Sequence, residues 1–200
     1  EAYDLLWQVR QAQGDLDGAI QILQRKLELR RHDGFSYYNL GVLYQNRGLL
    51  NEAKEMFDNA LRWKPDDARI HAALGDLFER QGQLDEAAGC YHRASVIESR
   101  NPGYLAKLGN LLAKQGQLTE ALTHIDRASL LDPANDSIRS VRWQILLRLG
   151  KLREGFAEAE ARFQIKELRS VYEIYAGIPR WHGEQFRGRL LIHPDALPED

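Results

Sequence analysis

A 34-residue period constrains this chain more than any other feature of its sequence. Glycine recurs at this spacing, at Gly14, Gly48, Gly82, Gly116 and Gly150. Leucine recurs in phase, at Leu16, Leu50, Leu84, Leu118 and Leu152, and alanine at Ala19, Ala53, Ala87 and Ala121. Glycine makes up only 16 of the 200 residues, so chance alignment of three such columns is negligible. Repetition at this interval indicates stacked copies of one small structural unit.

Each unit contains two stretches whose apolar residues follow helical spacing, such as 35–47 and 51–63. Gly48 follows the first stretch, where a left-handed residue commonly ends a helix. Pro65 and Pro133 follow second stretches, where proline prevents the helix from continuing. Each unit is therefore predicted to be a pair of helices joined by a tight turn.

Polar and small residues refine this prediction. Side-chain oxygens are expected to cap the second helices at equivalent positions, which are Asp17, Asn51, Asp85 and Thr119. Small residues on both helices are expected to let the paired backbones approach closely, namely Gly41 with Ala53, Gly75 with Ala87 and Gly109 with Ala121. A helix pair this short cannot bury its apolar face alone, so neighbouring units must share one core.

The three central units carry further matching columns, which include Leu40-Gly41, Leu74-Gly75 and Leu108-Gly109, the large residues Tyr44, Phe78 and Leu112, and the small residues Ala60, Ala94 and Ala128. This pattern resembles the tetratricopeptide repeat. The resemblance covers residues 1–169 and is strongest over 34–135. It implies an all-α fold, an α-solenoid of about five helix–turn–helix units in a right-handed superhelix, with the first helix of each unit on the concave side. The units are expected at 1–33, 34–67, 68–101, 102–135 and 136–169.

The outermost units depart from the pattern. Trp7 replaces the small residue of Gly41, and Lys26 stands where Ala60 stands in the second unit. Arg142 and Trp143 replace Leu-Gly, and Gly155 replaces alanine, in the fifth unit. Terminal repeats are often atypical because one of their faces meets water. A further repeat before Glu1 is an equally open interpretation, since the chain does not begin with methionine.

The C-terminal residues predict a different kind of structure. A capping helix is expected to continue through 170–176, followed by a loop and a short apolar segment over 177–200 that is a candidate start of a following domain. Residues 150–193 resemble the junction between the repeats and the catalytic domain of bacterial SPINDLY and O-GlcNAc-transferase-like glycosyltransferases. Glu154, Gly155 and Glu158 match its repeat, and Trp181 and Gly183 match its linker. Residues 195–200 lack the glycines of the turn that follows in that family.

Composition argues against several classes of function. The 27 Lys and Arg residues against 29 Asp and Glu give a net charge of −2, which disfavours nucleic acid as the main partner. No apolar stretch is long enough to insert into a membrane, and a cytoplasmic location is expected. A single cysteine, Cys90, and dispersed histidines give no metal site, and no catalytic residues or cofactor-binding motif are recognised.

The remaining candidate site is the concave face of the array. The predicted partner-binding residues lie on the first helices and are Tyr38, Asn39, Val42, Gln45, Arg69, Asp76, Lys107, Asn110 and Lys114. The leading hypothesis is a protein–protein interaction scaffold that binds a peptide or partner protein in this groove, without catalysis. An alternative is the acceptor-presenting region of a larger bacterial glycosyltransferase. A weaker possibility is self-association through the ends of the array.

Overall fold

Ten α-helices make up residues 2–163, the part of the chain that the computed structural model describes. The helices, in chain order, are α1 Ala2–Ala12, α2 Leu16–Leu29, α3 Gly34–Asn46, α4 Leu50–Trp63, α5 Ala68–Arg80, α6 Leu84–Ile97, α7 Pro102–Lys114, α8 Leu118–Leu131, α9 Asp136–Arg148 and α10 Leu152–Phe163. No strand occurs within residues 2–163. The predicted all-α repeated architecture is confirmed, whereas the helix expected over 170–176 and the loop over 177–200 lie outside the described residues.

A glycine in the left-handed conformation ends the first helix of every pair. The φ angles are 78° at Gly14, 77° at Gly48, 74° at Gly82, 82° at Gly116 and 75° at Gly150. In the second pair, the N–H of Gly48 donates to the carbonyl of Gln45 at 3.0 Å, and the N–H of Leu49 donates to that of Tyr44 at 2.9 Å. These bonds satisfy carbonyls that the end of the helix leaves without partners. The prediction drawn from the glycine column is confirmed.

A second polar column, which the sequence analysis did not use, starts the first helices. The side chains of Asp33, Asp67, Asn101 and Asn135 each accept a hydrogen bond from a backbone N–H in the first turn of the following helix. Because a helix leaves its first N–H groups without intrahelical partners, this cap defines where each unit begins. Pro102 follows one of these caps, at a position where its missing N–H is not needed.

The caps predicted for the second helices are wrong. Helix α4 begins at Leu50, so Asn51 lies inside the first turn, and the residue at the cap position, Leu49, makes no side-chain bond. Two of the predicted caps instead join neighbouring units. Asp17 accepts a hydrogen bond from Arg47, and Asp85 accepts one from Gln115 at 2.7 Å. The tight glycine turn positions these helix starts without a side-chain cap in α4, α6 and α8.

The glycine column on the first helices leaves room for a large side chain on the second helix. A Cβ atom added to Gly41 would lie 2.6 Å from the Phe57 ring, and one added to Gly75 would lie 2.6 Å from the Tyr91 ring. Both rings are fully buried. The sequence predicts that Gly41 and Gly75 face Ala53 and Ala87. In the structure, the atoms nearest to the two glycines belong to Phe57 and Tyr91 instead. Close approach of the helix pair therefore depends on a glycine facing a ring.

The first unit replaces a core alanine with a buried charge. Lys26 occupies the position of Ala60 and is 7% exposed. Its ammonium lies 2.5 Å from an oxygen of Asp4 and 2.6 Å from an oxygen of Asp33. Burial alone would lower the pKa of Lys26, but the hydrogen bonds with Asp33 and Asp4 outweigh it and raise the pKa. This ion cluster joins α1 and α2 to the start of α3.

The fifth unit reverses the sizes of the packing partners. Trp143 takes the place of the glycine, and Ala159, which is 8% exposed, takes the place of Phe57 on the second helix. Gly155 is required for a separate reason, since an added Cβ would lie 2.7 Å from Leu147. Arg142 replaces a core leucine and is neutralised by Asp126, 2.6 Å away, and by Glu158.

Candidate functional site on the first helices

Two pairs of first helices from successive units lie in contact with each other. Helix α3 contacts α5, and α7 contacts α9, whereas no two second helices within residues 2–163 contact each other to the same extent. Closer contact between first helices than between second helices favours the predicted position of the first helices on the concave side. The nine predicted site residues all lie on α3, α5 and α7, and we refer to them as the first-helix surface.

The second unit contributes the apolar part of this surface. Tyr38 is half-buried, and its ring centroid lies 6.1 Å from that of Phe57. Burial raises the pKa of the Tyr38 phenol, so it stays protonated at neutral pH. Val42 is half-buried against the core that includes Phe57. These two side chains give α3 a partly exposed apolar strip.

Asn39 lies beside this strip with an unused hydrogen-bond donor. The residue is 8% exposed, and its side-chain Nδ2 is buried without a hydrogen-bond partner. A buried amide without a partner loses about 1–3 kcal/mol relative to one that is hydrogen-bonded. Buried polar groups in folded proteins are rarely left in this state, which marks Asn39 as a candidate contact for a ligand.

Arg69 is held in place over Tyr38. Its guanidinium donates two hydrogen bonds to the carboxylate of Asp67, at 3.0 and 2.7 Å. The guanidinium carbon lies 5.6 Å from the centre of the Tyr38 ring, within the range of a cation–π interaction. The hydrogen bonds from Arg69 also lower the pKa of Asp67. This contact connects the α3 part of the surface to the α5 part.

The predicted acidic and basic residues form one network between the third and fourth units. The Tyr91 hydroxyl lies 2.7 Å from Asp76 and 3.0 Å from Glu79, so two carboxylates compete for its single hydrogen. Lys107 forms an ion pair with Asp76, and Lys114 pairs with Glu79 at 2.6 Å. The lysines were predicted as contacts for a partner, but the structure uses both to neutralise carboxylates of the preceding unit.

The acid–base properties of this network follow from its contacts. Burial would raise the pKa of Glu79, but the hydrogen bonds from Lys114 and Tyr91 lower it overall. Burial, reinforced by the hydrogen bond to Asp76, raises the pKa of the Tyr91 phenol far above its usual range. At pH 7 the Glu79 side chain is therefore a carboxylate and the Tyr91 side chain a neutral phenol.

A basic residue near the end of α5, α7 and α9 links each of these first helices to the preceding unit, a feature that sequence reasoning missed. Arg80 donates to the carbonyl of Gln45 at 3.4 Å, and Arg148 donates to the carbonyl of Ala113 at 2.8 Å. Lys114 occupies the equivalent position and reaches Glu79 instead. Cations are favoured near the carbonyl end of a helix. The signal for this column is the recurrence of Arg80, Lys114 and Arg148 at the period of the repeat.

The remaining predicted residues flank these features. Gln45 is buried at 8% exposure and lines an open depression of about 410 Å³ together with Asn46, Asp76, Glu79 and Arg80. Asn110 is half-buried on α7. Apart from Asn110, the nine residues thus form an apolar and amide group on α3 and a charged group shared by α5 and α7.

Within residues 2–163, no three His, Cys, Asp or Glu side chains are placed to bind a metal ion together. Every helix in this range is too short or too polar to cross a bilayer.

Comparison with known families explains the repeated architecture. Two family models described as tetratricopeptide repeat match the sequence, one over residues 11–77 and the other over residues 70–102. Residues 11–102 therefore contain tetratricopeptide repeats. No curated protein matches it by sequence. The resemblance of residues 150–193 to a glycosyltransferase junction gains no support from these comparisons, and residues 164–193 lie outside the described range.

Solved tetratricopeptide-repeat structures share the fold at low sequence identity. MamA superposes with a TM-score of 0.74 at 19% identity, covering 86% of this chain and 94% of that one. YrrB, described as "a TPR protein with an unusual peptide-binding site", gives a TM-score of 0.70 at 20% identity, covering 87% and 90%. PilF of Pseudomonas aeruginosa gives 0.69 at 19% identity, covering 92% and 77%. These similarities confirm the α-solenoid.

Proposed function

We propose that this chain is a protein-interaction scaffold whose first-helix surface binds an extended peptide or a helix of a partner protein, without catalysis. The observation that carries this proposal is the buried, unpartnered amide of Asn39 beside the partly exposed Tyr38 and Val42. A backbone carbonyl of a bound peptide would accept a hydrogen bond from the Asn39 Nδ2, while apolar side chains of the peptide contact Tyr38 and Val42. The peptide-binding site named for YrrB supports the same class of function.

The electrostatics favour α3 as the anchoring part of the surface. Lys107 and Lys114 are already paired with carboxylates, so an acidic ligand would have to compete with Asp76 and Glu79 for them. Surface ion pairs contribute little energy, and exchanging one for another gains less still. We therefore expect substitutions at Tyr38 and Asn39 to weaken binding more than substitutions at the lysines.

The acceptor-presenting alternative is less well supported. Its only basis is the resemblance of residues 150–193, of which the structure describes the portion up to 163. An interaction surface built from the first helices requires no such domain.

The test uses the full chain and a peptide selected against it from a random display library. Asn39→Leu removes the unpartnered amide at similar volume, so the free energy of unfolding should stay equal or rise while peptide affinity falls by more than about 1 kcal/mol. Tyr38→Ala should weaken binding by a similar amount, and the exposed Glu55→Ala on α4 serves as the control. Calorimetric titration that finds Asn39→Leu and Glu55→Ala equal to the wild type would exclude this surface.

A further inference from the structure

A second surface lies away from the first-helix surface, where the second helices of the first two units end. Leu29 is the last residue of α2 and is 63% exposed, and Trp63 is the last residue of α4 and is 46% exposed. The His32 ring lies against Trp63 with the ring centroids 4.2 Å apart. A Cβ added to Gly34 would lie 3.1 Å from the Trp63 Cβ and 3.1 Å from Lys64. The turn over residues 30–33 therefore packs on the end of α4.

We refer to Leu29, Arg30, Arg31, His32, Trp63 and Lys64 together as the turn patch. Its three cations, Arg30, Arg31 and Lys64, form no ion pair with any residue in the described range. Arg62, adjacent to the patch, donates only to the side chain of Asn59, at 3.3 Å. Such a concentration of positive charge is notable in a chain whose net charge is −2.

The nearby carboxylates are engaged elsewhere. Glu28 pairs with Arg25, and Asp33 lies 2.6 Å from the ammonium of Lys26. Lys64 lies close enough to Asp67 to contribute to its lowered pKa, but Arg69 bonds to both oxygens of that carboxylate. The positive charge of the turn patch therefore remains available to a molecule outside the chain.

The later turns provide a comparison within the same molecule. At the positions equivalent to Arg30 and Lys64, the third and fourth units carry Glu98 and Asp132. An apolar residue precedes the charge at all four turns, as Leu29, Trp63, Ile97 and Leu131. The repeat thus keeps the apolar position, while the sign of the charge that follows it changes between the second and the third turn.

We propose that the turn patch binds a peptide segment of a partner protein in which carboxylates flank one or two bulky apolar side chains. The apolar side chain would contact Leu29 and Trp63, and the carboxylates would pair with Arg30, Arg31 and Lys64. An open depression of about 690 Å³, lined by Leu29, Arg30, Arg31 and His32 together with Glu28 and Asp33, gives such a side chain a recess beside Leu29. A recess of this kind fits a protruding side chain better than a flat bilayer surface. Three cations are also few for binding a nucleic acid through its phosphates.

The probe is an acetylated, amidated peptide of sequence EDEFEDLED, titrated into the full chain by calorimetry and by the change in tryptophan fluorescence. Binding should weaken by at least about tenfold in Arg30→Ala/Arg31→Ala and about fivefold or more in Trp63→Ala, since the two changes remove charge and apolar contact separately. The charge variant alters only exposed side chains, so it remains informative if Trp63→Ala lowers stability. The peptide EDEAEDAED, which lacks the apolar anchors, should bind much more weakly.

Control variants and control ligands can overturn the proposal. Arg100→Ala/Arg127→Ala removes two exposed arginines at later units and should change affinity by less than about twofold, as should Tyr38→Ala on the first-helix surface. An equal loss in either control, or no binding of EDEFEDLED, would overturn it. So would a twelve-residue oligothymidylate or phosphatidylserine vesicles that bind through Arg30 and Arg31 more tightly than the peptide does. Because the Tyr38 variant reports on the other surface, the two proposals fail independently.

Discussion

Replacing Gly75 with alanine should destabilise the array, although alanine is the better helix former. The added Cβ would lie 2.6, 2.8 and 3.0 Å from three atoms of the Tyr91 ring. That ring is fully buried, and its hydroxyl is held by Asp76 and Glu79, so it cannot move aside freely. Overpacking of this kind costs about 1–3 kcal/mol, and the rigid ring places the cost near the upper end. Alanine returns about 1 kcal/mol in helix propensity, which leaves a net loss of about 1–2 kcal/mol.

Gly89 provides a matched control on the facing helix. It is exposed in α6, and an added Cβ there meets nothing within 4 Å. Gly89→Ala should therefore stabilise the array by up to about 1 kcal/mol through propensity alone. The difference between the two variants isolates the steric contribution, since both make the same chemical change. Urea denaturation followed by circular dichroism, with wild type in parallel, measures it.

The reasoning is refuted if Gly75→Ala and Gly89→Ala raise the urea midpoint equally. A second variant checks the mechanism directly. Tyr91→Leu should lower the additional penalty of Gly75→Ala, so the two changes combined should be less harmful than the sum of each alone. Strict additivity would mean that the glycine and the ring do not interact as their geometry implies.

Three further predictions concern charge and turn geometry. Lys26→Ala should lower the free energy of unfolding by about 3 kcal/mol in urea denaturation, because it leaves Asp33 and Asp4 together without their shared cation, and an added Asp33→Asn should recover part of the loss. The pKa values of Asp33 and Glu79 are lowered in the folded state, so both carboxylates contribute fully to the free energy of unfolding above about pH 4. This contribution is lost as the pH falls through the folded-state pKa values. The urea midpoint should therefore drop between pH 5 and pH 3, and the drop should be smaller in Asp33→Asn. Gly116→Ala should destabilise by about 1–2 kcal/mol in thermal unfolding, since φ is 82° there and no neighbour would be touched.

The sequence predicts the helices and the turns of this array because their determinants are local and periodic. Gly48 and its equivalents are required by backbone geometry within one turn, and Pro65 ends a helix wherever it stands. The cap at Asn51 was predicted from residue type alone. The prediction is wrong because α4 begins at Leu50, one residue before Asn51, so Asn51 is already inside the helix. The residue type at a position does not determine at which residue the helix begins.

The candidate site was less predictable because its contacts join different units. Lys107 and Asp76 lie 31 positions apart, so the ion pair is visible only when one unit is laid against the next. Lys114 pairs across a similar separation. By contrast, Tyr38 and Val42 are predicted as site residues from their helical spacing within α3 alone. The unpartnered amide of Asn39 has no sequence signal, since it depends on what every surrounding side chain does.

The basic column at the ends of the first helices has a mechanical consequence. Lys114 forms an ion pair with the Glu79 carboxylate of the preceding unit, whereas Arg80 and Arg148 donate hydrogen bonds to backbone carbonyls of the units before them. Added electrolyte weakens attraction between two full charges more than attraction between a charge and a dipole. Raising the ionic strength should therefore weaken the link that Lys114 makes between the third and fourth units more than the links that Arg80 and Arg148 make at the neighbouring junctions.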